Sequence, residues 1–381
     1  MVVKKKILMM SDSPFSSTGF ATVSKNLARI FTHLGYEVHI SGYGWGGYPI
    51  ETDTFTIYQA GLPRDRQFGY WTFEHYLKSI KPDAVVTVTD LQYIDYVVDQ
   101  IGETPWIAYF PVDSGDWSDD YFDIARAVDY AIPYSKFGKK LLESEGVGIY
   151  DMIYHGVDQR MYYYMGKKNI RSHFKDFNDD TFVIGTVASL NRRKMWNVWF
   201  EVVSRFLRGK EDAFAVALVD PNRPIIGGYQ FNQSRVGRDM LHKILTPPDY
   251  NHMAAGFSPN KVNVYYNLFD CHLLTTGGEG FGLPILESMS AKCTNLATDY
   301  TTCPEIIGNT GYNLPVKHWA TVNGTKRPVV DIEKAVEYLE ELYNDRGLCE
   351  ELGEKALARS RTFTWERTIP QWEKVLGEAC G

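Results

Sequence analysis

In the first half of the chain, short apolar runs alternate with longer segments whose apolar residues return every three or four positions. The runs, at 6–10, 37–41, 84–89, 106–110, 130–133 and 151–154, are of strand length and mostly apolar, as strands covered on both faces are. Between them, 21–34 puts Val23, Leu27, Ile30, Phe31 and Leu34 on one helical face, and 136–144 predicts a second helix. Strands that alternate with helices predict a parallel sheet with crossover connections. After a polar link at 162–180 the alternation restarts, with strands predicted at 181–187, 214–219, 271–275 and 295–298 and a helix at 198–207. Two successive doubly wound α/β units therefore fit better than one large sheet, with a boundary near 163–172. Near the end, Thr364 is placed to cap a helix over 365–379, which Pro370 should kink or interrupt.

Composition supports this picture and narrows the functions. The 381 residues are enough for two domains, and 44% apolar with 23% charged residues is a globular balance. A net charge of −7 argues against a dedicated nucleic-acid binder, although Arg192–Lys194 forms a local basic cluster. Five cysteines without C-x-x-C spacing make a disulfide framework or zinc site unexpected. The first apolar run ends at Ser11, too short for a secretion signal, and no window is long enough to span a bilayer. The expectation is a cytoplasmic protein, with peripheral contact as its only membrane role; the sequons at Asn232 and Asn323 are then chance matches.

Parallel sheets bind ligands at the carboxyl ends of their strands, so the turn after 271–275 draws attention first. It reads Gly-Gly-Glu-Gly-Phe-Gly-Leu-Pro-Ile-Leu-Glu from Gly277 to Glu287. Glycines before a helix let backbone N–H groups approach phosphate, and Pro284 suits a first helical position. Glu287 is expected in the first turn of that helix. Carboxylates accept hydrogen bonds from sugar hydroxyls, so the mixture points to a sugar nucleotide. On these facts alone, a glutamate that complements the helix dipole beside a tight loop explains the pattern equally well.

The segment from Glu279 to Glu287 resembles the E-x7-E motif of retaining glycosyltransferases of the GT-B fold, family 4. Tyr266-Asn-Leu-Phe-Asp270, Ala297-Thr-Asp299, Pro304-Glu-Ile-Ile307, His155-Gly-Val-Asp158 and Phe363-Thr-Trp-Glu366 follow that family's pattern in order, so the similarity spans nearly the whole chain. The resemblance implies two Rossmann-like domains facing a cleft. Residues 1–165 would form the acceptor side, completed by a C-terminal helix at 364–381 that crosses back, and 166–363 the donor domain. It implies retaining transfer from a UDP- or GDP-sugar to a hydroxyl of a glycan, lipid-linked or small-molecule acceptor, with a nucleic-acid acceptor not favoured. No metal or other cofactor is expected.

By the same resemblance, Glu287 would hold the ribose diol, Glu279 the donor sugar, and the backbone of Gly280, Phe281, Gly282 and Leu283 would line sugar and phosphate. Lys194 matches the family lysine that meets the leaving diphosphate. The family arginine is missing, because Ser189 stands in its triplet; Arg193 is the replacement candidate, ahead of Arg192. In the first domain Gly19 matches a phosphate loop, and Asp113 is the nearest polar group where relatives carry a histidine, although capping the next segment suits it as well. A nucleotide-sugar epimerase and a non-catalytic nucleotide-sugar-binding subunit are the competing readings. The glycines between Gly42 and Gly47 are read as a loop, since no helical pattern follows them, His155 as structural, and the run from Tyr162 to Tyr164 as packing or linker surface.

Overall fold

The computed structural model of the chain describes residues 4–61, 68–219, 240–246 and 257–381, and the sequon at Asn232 lies outside them. The chain divides into two compact units, Met1–Gly156 with Trp365–Gly381, and Val157–Thr364.

In the first unit the described strands are β1 (Lys6–Asp12), β2 (Glu37–Tyr43), β3 (Ile50–Glu51), β4 (Thr56–Gln59), β5 (Ala84–Val88), β6 (Trp106–Phe110) and β7 (Tyr130–Pro133). They form one sheet in the order β3-β4-β2-β1-β5-β6-β7, parallel except where β3 meets β4. Ile7 to Met10 in central β1 are wholly buried, which is why that stretch reads as continuously apolar. The helix Gly19–His33 lays Val23, Leu27 and Phe31 on the core. Residues 151–154, expected as a strand, are not one. Their polar groups go elsewhere: Asp151 accepts from the Met152 N–H, and the Tyr109 hydroxyl donates to the Ile153 carbonyl. The segment still runs beside β7, through an isolated bridge from Ala131 to Ile149 and a bond from the Ile153 N–H to the Pro133 carbonyl at 3.3 Å, but without a continuous ladder. Pro370 does interrupt the last helix: a 3-10 turn at Trp365–Thr368 precedes the helix Ile369–Cys380. Trp372 of that helix, fully buried, packs edge-on against Phe31 and Tyr109 at 5.2 and 5.0 Å.

In the second unit β8 (Phe182–Val187), β9 (Ala213–Leu218), β10 (Ile244–Leu245), β11 (Cys271–Leu274), β12 (Thr294–Thr298) and β13 (Gly311–Leu314) form a parallel sheet in the order β10-β9-β8-β11-β12-β13. Trp199, Val203 and Phe206 of the helix Trp196–Leu207 fill the core on one side. The polar link is part of this unit. Asn263 and Asn267, buried on the helix Pro259–Leu268, bond the backbone of Tyr163 and Met165, and Asp270 holds Arg171 at 2.6 Å and Lys167 at 3.1 Å. An antiparallel hairpin, β14 (Val316–Val322) and β15 (Thr325–Val330), is an addition that the strand–helix alternation does not predict. Its turn uses Asn323 and Gly324 with φ of 51° and 83°, the left-handed pair that a two-residue hairpin turn requires.

Gly185 in β8 has no room for a side chain, since a Cβ there would lie 1.9 Å from the buried Phe269 ring. Gly185→Ala should therefore destabilise the protein by about 1–3 kcal/mol in urea unfolding, the usual cost of overpacking. A loss below about 0.5 kcal/mol would contradict this packing.

Candidate active site

Strands β8 and β11 lie side by side, and both end in loops that carry charge. After β8, Asn191 caps the 3-10 turn Arg192–Lys194, its side chain accepting from the Lys194 N–H. Met195 then takes a left-handed conformation, φ 48°, and opens the helix Trp196–Leu207. That bend turns the Arg193 and Lys194 side chains onto the loop after β11. Arg193 donates to the Gly278 carbonyl, and its own carbonyl accepts from the Gly277 N–H at 2.6 Å.

Glu279 is the centre of the arrangement. Its carboxylate is buried, 2.5 Å from Lys194 Nζ and 3.3 Å from Arg193. Burial by itself would raise this carboxyl, but Lys194 and then Arg193 outweigh it and bring it down to about 2. Burial also lowers Lys194, and Arg193 adds to this, while Glu279 pulls the other way. The backbone is held as tightly: the Glu279 N–H donates to Thr301 Oγ1 at 2.8 Å, and Thr302 Oγ1 donates to the Glu279 and Gly280 carbonyls. Thr301 is itself left-handed, φ 51°. Such strain is kept only where surrounding contacts impose it, and it gathers at functional sites.

The loop closes at Gly282, whose φ of 100° suits glycine, and the helix Leu283–Ser290 begins there. Phe281 beside it is buried. Pro284 takes the second helical position, one past the expected first, and Glu287 is not in the first turn: that turn holds no acidic residue, and Glu287 lies in the second. Dipole complementation at the helix start thus does not account for it. Glu287 is buried instead against two phenols. Tyr266 donates to its Oε2 at 3.0 Å, and the nearby Tyr162 phenol also favours its charged form. Burial pushes its carboxyl up to about 7 in spite of both phenols. Behind Tyr266 lies the buried His272, whose Nδ1 is 3.0 Å from Asn295 and whose burial takes it down to about 4.

The second unit thus brings together Arg193, Lys194, Glu279, the Gly280–Leu283 backbone and Glu287. Arg192, by contrast, is exposed. Gly19 and Asp113 belong to the first unit, each on the segment after a parallel strand, β1 and β6. Gly19 is the first residue of its helix, behind Thr18, which accepts from the Ala21 N–H and donates to Asp12. Asp113 is half-buried and is not the cap of the next helix, which is Ser118. His155 is buried against Tyr109, 2.6 Å from its hydroxyl, and burial lowers it to about 3. Three parts of the site were not singled out from sequence. Thr301 and Thr302 follow the matched Asp299, Arg327 reaches the Gly277 carbonyl from β15, and Tyr162 opens the run read as packing or linker surface. Among the described residues no group of three or more His, Cys, Asp and Glu converges as a metal site would need, and no helix is long and apolar enough to cross a membrane.

Two α/β units of this topology define a GT-B fold, and solved structures agree. Sucrose-phosphate synthase from Thermosynechococcus elongatus superposes with a TM-score of 0.78, covering 98% of this chain and 99% of that one at 14% identity. Anabaena HepE in complex with UDP and glucose covers 98% and 100%, with a TM-score of 0.69 at 13% identity. At these identities the likeness speaks for the fold alone. The sequence model described as Glycosyl transferases group 1 matches residues 168–359, just over half of the chain, and the protein belongs to that family. Over 103 residues it is 32% identical to the serotype-specific mannosyltransferase WbdA of Escherichia coli, a stretch that is 27% of this chain and 11% of that protein.

The buried ion cluster predicts its own energetics. Lys194→Met takes away the shorter of the two ion pairs of Glu279 and should cost about 3–5 kcal/mol in urea unfolding, as breaking a buried pair does. Adding Glu279→Gln should recover part of that loss. If the two losses simply add, Lys194 and Glu279 are not coupled as described.

Proposed function

We propose that this chain is a retaining glycosyltransferase that moves a sugar from a UDP- or GDP-sugar to an acceptor hydroxyl without a metal ion. The observation that carries the reading is the pairing of Glu279 with Lys194 and Arg193 beside a glycine loop and a helix N-terminus. In this reading the bond from the anomeric carbon to the diphosphate breaks while the acceptor oxygen bonds to the same face, and its proton passes to the leaving phosphate. Arg193, Lys194 and the N–H groups at the start of the helix Leu283–Ser290 receive the developing charge. Glu279 contacts the donor sugar, with the Gly280, Phe281, Gly282 and Leu283 backbone along sugar and phosphate. Glu287 accepts from the ribose diol. Gly19 serves the donor phosphates from the first unit and Asp113 the sugar or acceptor. The acceptor is a glycan, a lipid-linked sugar or a small molecule, and the protein works in the cytoplasm, free or peripherally on a membrane.

A second reading has one observation in its favour. Two carboxyls held apart, at about 2 and about 7, are the pattern of a glycosidase acid and nucleophile. Against it, Glu279 is locked between two cations and Glu287 between two phenols, so neither is disposed to attack or to protonate a leaving oxygen. A product assay with nucleotide-sugar and an acceptor panel separates the readings: a new glycoside supports transfer, an altered donor sugar an epimerase, hydrolysis of simple aryl glycosides a glycosidase, and binding without turnover a non-catalytic subunit.

Two outcomes are expected in that assay. Transfer should survive excess EDTA; loss of activity that magnesium or manganese restores would overturn metal independence. Arg193→Ala should lower kcat by about 10²–10³, the usual cost of removing one preorganised partner of transition-state charge, while exposed Arg192→Ala should be nearly silent. The reverse result would mean that Arg192, and not Arg193, stands in for the missing family arginine.

A further inference from the structure

Glu287 is served from two sides of its own unit. Tyr266 comes from the helix Pro259–Leu268, and Tyr162 from the segment that leads into this unit. The position of that segment is not left to chance. Asn263 and Asn267 bond the backbone of Tyr163 through both its N–H and its carbonyl, and Asn267 also accepts from the Met165 N–H at 2.6 Å. Within the Tyr162–Tyr164 run the three rings then differ sharply: Tyr163 and Tyr164 are 46% and 38% exposed, whereas Tyr162 is 9% exposed and turned onto Glu287. The same helix thus carries one phenol directly to the carboxylate and staples the segment that brings the other.

A carboxylate offers about four acceptor directions. The Tyr266 phenol takes one of them at 3.0 Å and the nearly buried Tyr162 phenol lies close by, which leaves at least two directions for incoming donors. Two adjacent hydroxyls on one ring are the matching ligand. We propose that Tyr162 and Tyr266 are positioning residues that aim the Glu287 carboxylate at a vicinal diol, so that this chain selects ribonucleotide over 2′-deoxyribonucleotide donors. The inference rests on the reading of Glu287 as the ribose ligand and adds what makes that contact selective.

The geometry also sets a pH dependence. The titratable groups around Glu287 are Tyr266, with Cys293 and His272 beside it, and Tyr162, with Asp158 beside it. Burial raises Glu287 to about 7, and the two phenols act to lower it. A diol donates to the ionised carboxylate, so ribonucleotide affinity should be full at alkaline pH and fall as pH drops through about 7. Removing a phenol removes stabilisation of the charged form, so this midpoint should move to higher pH. A ring that served only as packing would not move it, because phenylalanine keeps the ring.

The experiment is calorimetric titration of the full chain with UDP, GDP and their 2′-deoxy counterparts from pH 5.5 to 8.5, on wild type, Tyr162→Phe, Tyr266→Phe and Glu287→Gln. Wild type should prefer its ribonucleotide by about tenfold or more at pH 8, the equivalent of roughly one charge-assisted hydrogen bond. Each phenylalanine variant should reduce that ratio severalfold and shift the acid midpoint upward, with the deoxynucleotide affected less. If Glu287→Gln abolishes the preference but both phenylalanine variants keep wild-type ratio and midpoint, the positioning role is wrong and the ribose reading stands. If Glu287→Gln leaves the ratio unchanged, the ribose reading fails and takes this proposal with it.

Discussion

The candidate site depends on one buried carboxylate. Glu279 sits out of water between Lys194 and Arg193, and an ion in that position is tolerable only while its partners remain. Those partners come from the loop after β8, and the carboxylate from the loop after β11, so the cluster joins two adjacent strand ends. Each ion restrains the others. The cations are held in one place before any ligand arrives, which is the condition under which fixed charge acts on a reaction without reorganising.

Backbone conformation shows how much the cluster demands of its surroundings. Met195 and Thr301 both adopt left-handed φ values that cost a non-glycine residue energy, and both adjoin it. Met195 reverses the chain directly after Lys194, and Thr301 places a hydroxyl on the Glu279 N–H. At Gly277 even a methyl group is crowded, since a Cβ would meet Arg327, Met195 and the Arg193 carbonyl at 3.0 to 3.1 Å. The loop is thus wedged between two basic segments, and its glycines answer to that crowding as well as to any ligand.

The central strands were legible because burial on both faces writes a continuous apolar run into the sequence, as at β1, β6 and β8. Residues 151–154 carry a similar run and form no strand: the side chains of Asp151 and Tyr109 take the Met152 N–H and the Ile153 carbonyl, leaving the Ile153 N–H bonded to the Pro133 carbonyl of β7. The β14–β15 hairpin has a local signal in Asn323-Gly324, the dipeptide of a tight hairpin turn, which in the sequence coincides with the Asn-Gly-Thr of a sequon. Arg193, Lys194 and Glu279 could be nominated from their places after predicted strands and from the family resemblance. Arg327 and Tyr162 could not, since their closeness to Gly277 and Glu287 comes from packing between segments far apart in sequence, which no local pattern records.

The two glutamates of the motif stand eight residues apart, yet the fold gives them opposite surroundings. Glu279 meets cations, which force it to remain charged at any ordinary pH; Glu287 is buried beside phenols, where its charge is costly and conditional. A ligand with a charged segment next to a neutral polyol, as in a nucleoside diphosphate sugar, needs this division. Cations must face the diphosphate, and a carboxylate placed among them keeps them fixed and can still reach a sugar hydroxyl. The neutral diol is better met by a carboxylate with no cation beside it, whose remaining acceptor directions are open to hydroxyl donors. The glycine loop and the first turn of the helix Leu283–Ser290 separate the two glutamates in the chain, so the spacing of the motif is the length of backbone that passes from one environment to the other.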